Sequence, residues 1–156
     1  MALVYNFVTL YEGSGKLALS ERPKLREIEK LVPTGCRLVV TILSGKGEKA
    51  HMIGKHLSEH GIKWEWLRVA NANALTVEEA KQFQSSLQCA INALAERENV
   101  LVHCSGGRHR TGIFAYALLR KLNKTPGEAL DLVREIRQET FNSLEEKYLE
   151  LAEALV

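Results

Sequence analysis

The fold is decided by one stretch of the sequence, Val100-Leu101-Val102-His103-Cys104-Ser105-Gly106-Gly107-Arg108-His109-Arg110-Thr111-Gly112. Its first four residues predict a short, buried β-strand, because they are mostly β-branched or apolar and lead towards a glycine pair. The residues from Thr111 to Leu122 are mainly apolar and predict a buried helix. A strand, a tight loop and a helix in direct succession are typical of α/β domains.

Strands and helices alternate on both sides of this stretch. On its N-terminal side the patterns predict a strand over 3–11, a helix over about 23–32, a strand over 37–43, a helix over about 48–60, an edge strand over 62–69 and a helix over about 77–96. The last of these follows a capping box at 76–79, and the same signature recurs at 125–128 and 143–146. The alternation predicts one α/β domain over residues 1–156, with a central, mostly parallel sheet flanked by helices.

Composition limits the class of protein without identifying a partner. The chain has 156 residues, of which 46% are hydrophobic, and this is enough for one globular core. Its net charge of +2 neither requires nor excludes nucleic acid. Three scattered cysteines and no secretory signal predict a cytoplasmic protein, and the apolar runs are too short to span a membrane.

The loop after the central strand has the features of an anion cradle. The N–H groups of a short loop can point at one centre, and the positive end of the following helix dipole adds to them. Glycines allow the backbone to curl and to approach a ligand closely. A tetrahedral oxyanion fits such a cradle, and a guanidinium can bind two of its oxygens at once. The residues predicted to bind phosphate are Ser105, Gly106, Gly107, Arg108, His109 and Arg110.

Cys104 stands at the mouth of the same cradle. Thiols beside cations or at a helix N-terminus are often reactive thiolates. The position therefore predicts a nucleophile directed at the phosphorus of a bound phosphate. The alternative is an unreactive core thiol, which does not explain two glycines and three basic residues within a few positions of the cysteine.

These residues also carry a family resemblance. His103 and Cys104, followed after five residues by Arg110 and Thr111, resemble the signature of the protein tyrosine and dual-specificity phosphatase superfamily. Residues 19–23 look like the N-terminal strand-to-helix transition of dual-specificity phosphatases. The resemblance implies a dual-specificity-phosphatase-like fold, a phosphocysteine on Cys104, and phosphate oxygens held by Arg110 and the loop amides. It further implies that the Thr111 hydroxyl stabilises the departing thiolate, that His103 orients the loop, and that catalysis uses no metal or cofactor.

One part of the family pattern is missing. These phosphatases usually take a general acid, an aspartate about thirty residues before the cysteine, to protonate the leaving oxygen. The single aspartate here, Asp131, follows the signature, and Asn71 lies nearest the acid position. Because an amide cannot supply that proton, three hypotheses stay open. The leaving group needs no proton, or the acid is Glu78, Glu79 or Glu145, or the protein binds phosphate with little or no turnover.

The basic pair Arg108 and His109 bears on the substrate. It resembles the loops of phosphatases that act on polyanions, including phosphoinositide phosphatases, and RNA 5′-triphosphatases of the same superfamily also lack the aspartate. The leading hypothesis is a phosphatase of a phosphorylated protein or small molecule, of the protein tyrosine or dual-specificity type. The alternatives are a phosphatase of phosphoinositides, inositol phosphates or RNA 5′-triphosphate ends, and a non-catalytic module that binds phosphorylated partners.

Overall fold

Strands and helices alternate along the chain in a computed structural model that describes residues 5–156. Within that range the strands are β1 (Val8–Thr9), β2 (Lys16–Ser20), β3 (Cys36–Ile42), β4 (Lys63–Leu67) and β5 (Asn99–His103). The α-helices are α1 (Ala50–Glu59), α2 (Val77–Ala95), α3 (His109–Lys121), α4 (Pro126–Ile136), α5 (Gln138–Asn142) and α6 (Glu146–Glu153). A 3-10 helix spans Leu25–Thr34.

The strands form one sheet in the order β1-β2-β5-β3-β4. β2, β5, β3 and β4 are parallel, and β1 is antiparallel to β2. The predicted α/β fold with a mostly parallel sheet is confirmed, and β4 is an edge strand, as its alternating sequence predicts. Because β5 is central, the loop that follows it lies between the carboxyl ends of β2 and β3. Open α/β sheets commonly bind ligands at such a position.

Alternate residues of the central strands are buried on opposite faces of the sheet. In β5, Val100 and Val102 belong to a large apolar cluster with α2, α3, α4 and α6, whereas Leu101 joins a smaller cluster with the 3-10 helix and α1. In β3, Val40 and Val39 divide in the same way. Burial on both faces explains why these strands are apolar almost throughout. Among residues 5–156, no helix has the length and apolar character needed to cross a membrane.

Two of the three predicted capping boxes are confirmed. The boxes at 76–79 and 125–128 open α2 and α4, each through two reciprocal hydrogen bonds. The box predicted at 143–146 is wrong. Ser143 closes α5 in a helical conformation (φ −96°, ψ −1°) and its hydroxyl donates to the carbonyl of Glu139 (3.0 Å), so its backbone is not extended as an N-cap requires. The final helix, α6, begins after Glu145.

The N-terminal part of the chain departs most from the sequence predictions. Of the strand predicted over 3–11, the described residues form only Val8–Thr9, and Leu3 and Val4 lie outside the described range. β2 fills a sheet position for which no full strand was predicted. The helix predicted over 23–32 is a 3-10 helix that continues to Thr34, where Gly35 ends it in the left-handed region (φ +79°).

Candidate active site

The loop between β5 and α3, residues 104–108, is the centre of the candidate site. β5 delivers Cys104 to the carboxyl edge of the sheet, and α3 places its N-terminus against the same loop. The Cys104 side chain is buried, with 3% exposed, whereas Ser105, Gly106 and Arg108 lie at the surface. The residues predicted to form the cradle therefore lie together at the carboxyl edge of the sheet.

Gly107 is the position in this loop where only glycine fits. Its φ of +67° lies in the left-handed region, and a Cβ there would come within 2.3 Å of the carbonyl oxygen of Ser20 at the end of β2. Gly106 differs, because a Cβ there would meet nothing closer than the Arg108 side chain at 4.0 Å. The tight approach predicted for both glycines thus applies to Gly107, which packs the loop against β2.

The first two carbonyl groups of the loop are held by neighbouring elements. The carbonyl of Cys104 accepts a hydrogen bond from Nδ1 of His103 (2.9 Å). The carbonyl of Ser105 accepts one from the backbone N–H of Arg22, which follows β2 (2.9 Å). Both carbonyls therefore point into the protein.

The next carbonyl groups are held from the region that joins α4 to α5. The carbonyl of Gly107 accepts hydrogen bonds from the Arg137 guanidinium (2.8 Å) and from the Thr140 hydroxyl (2.5 Å). The same guanidinium nitrogen approaches the carbonyl of Gly106 at 3.5 Å. Neither Arg137 nor Thr140 was singled out by the sequence, because both lie some thirty residues from the loop and no local pattern marks them.

The loop N–H groups face away from those carbonyl partners. In a trans peptide unit the C=O of one residue and the N–H of the next point in opposite directions. With the carbonyls of residues 104–107 turned to protein donors, the N–H groups of residues 105–108 are turned the other way. None of these four N–H groups donates a hydrogen bond to an atom of residues 5–156. Four free donors beside a helix N-terminus are an arrangement that suits an anion.

His103 is buried in a closed hydrogen-bond network below the loop. The indole N–H of Trp64 donates to the Thr41 hydroxyl (2.8 Å), which leaves the hydroxyl hydrogen to reach Nε2 of His103 (2.7 Å). Nδ1 of His103 carries the remaining proton and donates it to the Cys104 carbonyl. Burial lowers the pKa of His103 to about 4, so the ring is neutral at neutral pH and acts as a support.

Thr111 carries a buried hydroxyl without a partner. It lies in the first turn of α3, fully buried, and its Oγ1 makes no hydrogen bond within residues 5–156. Leaving a buried hydroxyl unbonded costs about 1–3 kcal/mol, so such a group calls for an explanation. One explanation is that this hydroxyl is a donor available for a ligand or for a thiolate.

Arg110 is oriented by two groups from other loops. Its Nη1 donates to the carbonyl of Val69, which follows β4 (2.9 Å), and to the carboxylate of Glu48 (3.2 Å), while Nη2 lies 3.5 Å from the second Glu48 oxygen. The side chain is only 13% exposed. These protein contacts therefore fix the direction of the Arg110 side chain.

Glu48 is a site residue that the sequence did not indicate. It was assigned to the start of a helix over about 48–60, but α1 begins at Ala50, because Lys49 adopts a left-handed conformation (φ +50°). Burial alone would raise the pKa of Glu48, but hydrogen bonds from Arg110 and Ser44 outweigh this and lower it. The carboxylate is ionised at neutral pH and serves to hold Arg110.

Among the described residues, none of the sequence-predicted acid positions hydrogen-bonds to the loop. Asn71 is exposed, and its Oδ1 accepts from the N–H of Asn73 (2.8 Å) in a local turn. Glu79 is engaged in the α2 capping box, Glu78 is exposed, and Glu145 lies 3.6 Å from a lysine at the start of α6. Asp131, the single aspartate of the chain, is exposed and pairs with a neighbouring arginine on α4.

His109 packs against the C-terminal helix. Its ring stacks on Tyr148 of α6, with centroids 4.7 Å apart and an angle of 21° between the planes. His109 remains exposed on its other side, next to the exposed Arg108. The basic pair is therefore at the surface beside the cradle.

Comparison with solved structures shows where this fold occurs. The matches include PTPMT1 (TM-score 0.76, 22% identity, covering 97% of this chain and 93% of that chain) and kinase associated phosphatase (TM-score 0.72, 17% identity, 99% and 97%). They also include the core catalytic domain of the PP-IP phosphatase SIW14 from S. cerevisiae (TM-score 0.69, 18% identity, 97% and 85%). At these identities the likeness establishes the fold, which is dual-specificity-phosphatase-like, as the sequence resemblance implies.

Sequence comparison gives the family. No curated protein sequence matches this chain. A family profile described as "Tyrosine phosphatase family" matches residues 18–130, a span that contains the end of β2, the loop after β5 and the whole of α3. The match covers well over half of the sequence and includes every residue of the signature from His103 to Thr111. The chain belongs to the tyrosine phosphatase family.

Proposed function

We propose that this family member hydrolyses phosphate esters through a phosphocysteine intermediate on Cys104. The observation that carries the proposal is the set of four N–H groups, residues 105–108, that are free of protein acceptors. Cys104 precedes these groups in the chain and Arg110, in the first turn of α3, follows them, so a phosphate bound by the amides would have a nucleophile and a guanidinium within the same short segment. Placing the nucleophile beside a pre-formed anion site supports transfer of the phosphoryl group.

The chemistry requires two displacements at phosphorus. The Cys104 thiolate attacks, a P–S bond forms, the P–O bond to the leaving group breaks, and the leaving oxygen takes up a proton. Water then attacks the phosphocysteine, the P–S bond breaks, the thiolate returns, and the proton of the attacking water is released with phosphate. In both steps Arg110 and the amides would bind the equatorial oxygens, on which negative charge accumulates.

The two buried supports fit parts of this cycle. The unpartnered Thr111 hydroxyl is proposed to donate to the Cys104 sulfur when the P–S bond breaks. The neutral His103 is proposed to hold the Cys104 carbonyl and thus the start of the loop. Neither role changes the charge of the site.

Among the described residues, no proton donor for the leaving group is identified. No carboxylate among the described residues hydrogen-bonds to the loop itself, and Glu48, which binds Arg110, is ionised. With Asn71 in the proton-donor position, the enzyme would favour substrates whose leaving group departs as an anion, such as phosphoanhydrides and acidic aryl phosphates.

A second candidate function, turnover of a polyphosphorylated substrate, is supported by the distribution of charge. The loops that follow the four parallel strands, residues 21–24, 43–49, 68–76 and 104–108, hold six Lys or Arg and two Glu, a net charge of +4. Since the whole chain carries +2, the remaining residues carry −2. Positive charge is thus concentrated at the carboxyl edge, where it would attract a polyanion.

Two of the compared proteins agree with this candidate, one by its bound ligand and the other by its activity. PTPMT1 has been crystallised in complex with PI(5)P, and SIW14 is a PP-IP phosphatase. Because both are less than 25% identical to this chain, their substrates do not carry over to it. The proposed substrate class therefore rests on the positive charge at the carboxyl edge. None of the matches described above favours an RNA 5′ end.

The test is turnover by wild type and Cys104→Ser across four substrates: a phosphotyrosyl peptide, a phosphoinositide, an inositol pyrophosphate and triphosphate-ended RNA. Wild type should release phosphate from at least one of them, and Cys104→Ser from none, because serine is a poor nucleophile at neutral pH. Phosphate affinity should stay within a few fold in Cys104→Ser. Turnover by folded Cys104→Ser would exclude the phosphocysteine, and binding without turnover by wild type would identify a phosphate-binding module.

A further inference from the structure

The segment between α4 and α5 reaches the phosphate loop through two side chains. α4 ends at Ile136 and α5 begins at Gln138, and Arg137 between them is extended (φ −156°, ψ 110°). This break turns the Arg137 side chain towards the loop, where only 16% of it is exposed. Thr140, in the following turn, is completely buried.

Together these side chains satisfy one carbonyl group. The Gly107 oxygen accepts from Arg137 at 2.8 Å and from Thr140 at 2.5 Å, and a carbonyl oxygen has two lone pairs for such bonds. Arg137 also donates to the Thr140 hydroxyl (3.2 Å), which closes the network. The direction of the Gly107 carbonyl is therefore fixed from two sides.

Fixing that carbonyl fixes the N–H group of Arg108, which belongs to the same planar peptide unit and points the opposite way. Glycine offers little resistance to rotation of its own backbone, so without an external hold the peptide unit after Gly107 would sample several directions. We propose that Arg137 and Thr140 are positioning residues that aim the Arg108 N–H at the bound phosphate. This inference rests on the proposed function, since it assigns the amide a ligand.

Arg137 acts in this proposal by orienting the Arg108 N–H and not by adding positive charge to the loop. The second nitrogen of the Arg137 guanidinium pairs with Glu139 at 2.7 Å, so the positive charge that Arg137 brings to the loop is largely offset. A lysine would keep the charge but could not form both the carbonyl and the threonine bond in the same geometry. Arg137→Lys therefore separates orientation from electrostatic attraction.

The experiment measures binding of inorganic phosphate to the full chain carrying Cys104→Ser, which removes the nucleophile but retains the loop. Thr140→Val and Arg137→Lys should each weaken binding by about 10- to 100-fold, the range for a hydrogen bond to a charged group. Thr140→Ser, which restores the hydroxyl, should bind like the parent. Arg134→Lys is the matched control, because Arg134 is an exposed arginine of the adjoining helix α4 whose contacts are to Asp131 and the Phe141 ring, with no hydrogen bond to the loop among the described residues.

A spectroscopic readout distinguishes positioning from general support of the fold. In the parent, added phosphate should shift the ¹H–¹⁵N signal of the Arg108 amide strongly. In Thr140→Val that shift should be smaller, while thermal unfolding shows that the variant is folded at the assay temperature. If Arg137→Lys does not fold, the comparison of Thr140→Val with Thr140→Ser decides the matter alone.

Two outcomes overturn the inference in different ways. Phosphate affinity and amide shifts in folded Thr140→Val equal to those of the parent would refute positioning and leave the proposed function standing. No phosphate binding by the parent itself would refute the proposed function, and the positioning roles with it.

Discussion

Acidification should destabilise the fold through the buried imidazole of His103. The ring is fully enclosed, accepts from the Thr41 hydroxyl and donates to the Cys104 carbonyl, so the folded protein has no place for a second ring proton. Burial holds its pKa at about 4, and the nearby Arg22 and Arg110 act in the same direction. In the unfolded chain a histidine titrates near its ordinary value of about 6.5.

The sign and size follow from these two values. Between about pH 6.5 and pH 4 the unfolded chain binds a proton that the folded one does not, so the free energy of unfolding falls as pH falls. The stabilisation by neutral His103 is complete above pH 6.5 and decreases progressively below it. The loss relative to neutral pH is about 2 kcal/mol at pH 5 and approaches about 3 kcal/mol below pH 4.

Urea unfolding at pH 7, 6 and 5 measures this loss. The control is His103→Gln, which removes the ionisable ring and keeps every other histidine and carboxylate, so the difference between the two proteins isolates His103. Wild type should lose about 2 kcal/mol more than the variant between pH 7 and pH 5. Parallel stability curves for the two proteins would refute the reasoning, because they would mean that the folded state accepts the proton freely.

Two further predictions concern the reaction. Arg110→Lys should lower kcat/KM by about 10- to 100-fold or more. A lysine ammonium is a point charge, so it can neither bind two phosphate oxygens at once nor keep both contacts, to Val69 and to Glu48. A near-native rate would show that Arg110 does not bind the phosphate. For wild type, log kcat/KM should depend steeply on leaving-group pKa, and Asn71→Asp, which can keep the turn bond to Asn73, should raise the rate on poor leaving groups by at most about 10²–10⁴-fold. A flat wild-type plot would point to another proton donor, and a steep plot unchanged by Asn71→Asp would place the donor position elsewhere, with Asn73 the next residue to substitute.

The sequence predicted the succession of strand, loop and helix around Cys104 well because its parts are consecutive. A strand that ends at His103, a glycine at Gly107 and a helix that starts next to Arg110 are neighbours in the chain, so local patterns are sufficient to place them. The same holds for the capping boxes at 76–79 and 125–128, where side chain and backbone bond over three residues. The box at 143–146 failed because the residue types were right but the preceding helix α5 had already fixed the backbone of Ser143.

The elements that surround the loop could not be predicted in this way. β2 is only five residues long, and its place as a strand depends on pairing with β5, more than eighty positions away. Glu48, Arg137 and Thr140 act on the loop through contacts that join distant parts of the chain. Single-sequence patterns contain no information about such pairs, since each of these residues is ordinary in its local setting.

In the proposed mechanism, the contacts that orient Arg110 determine how the site attracts phosphate. Glu48 offsets the charge of Arg110, so attraction of a dianion would come largely from the loop amides, the helix dipole and the surface cations. A guanidinium has five N–H donors, and the contacts to Val69 and Glu48 leave others free for phosphate oxygens. Arg110 can therefore bind a ligand without releasing its supports. Because its direction is set in advance, little conformational entropy is lost on binding, which is the advantage that pre-organised sites have over flexible ones.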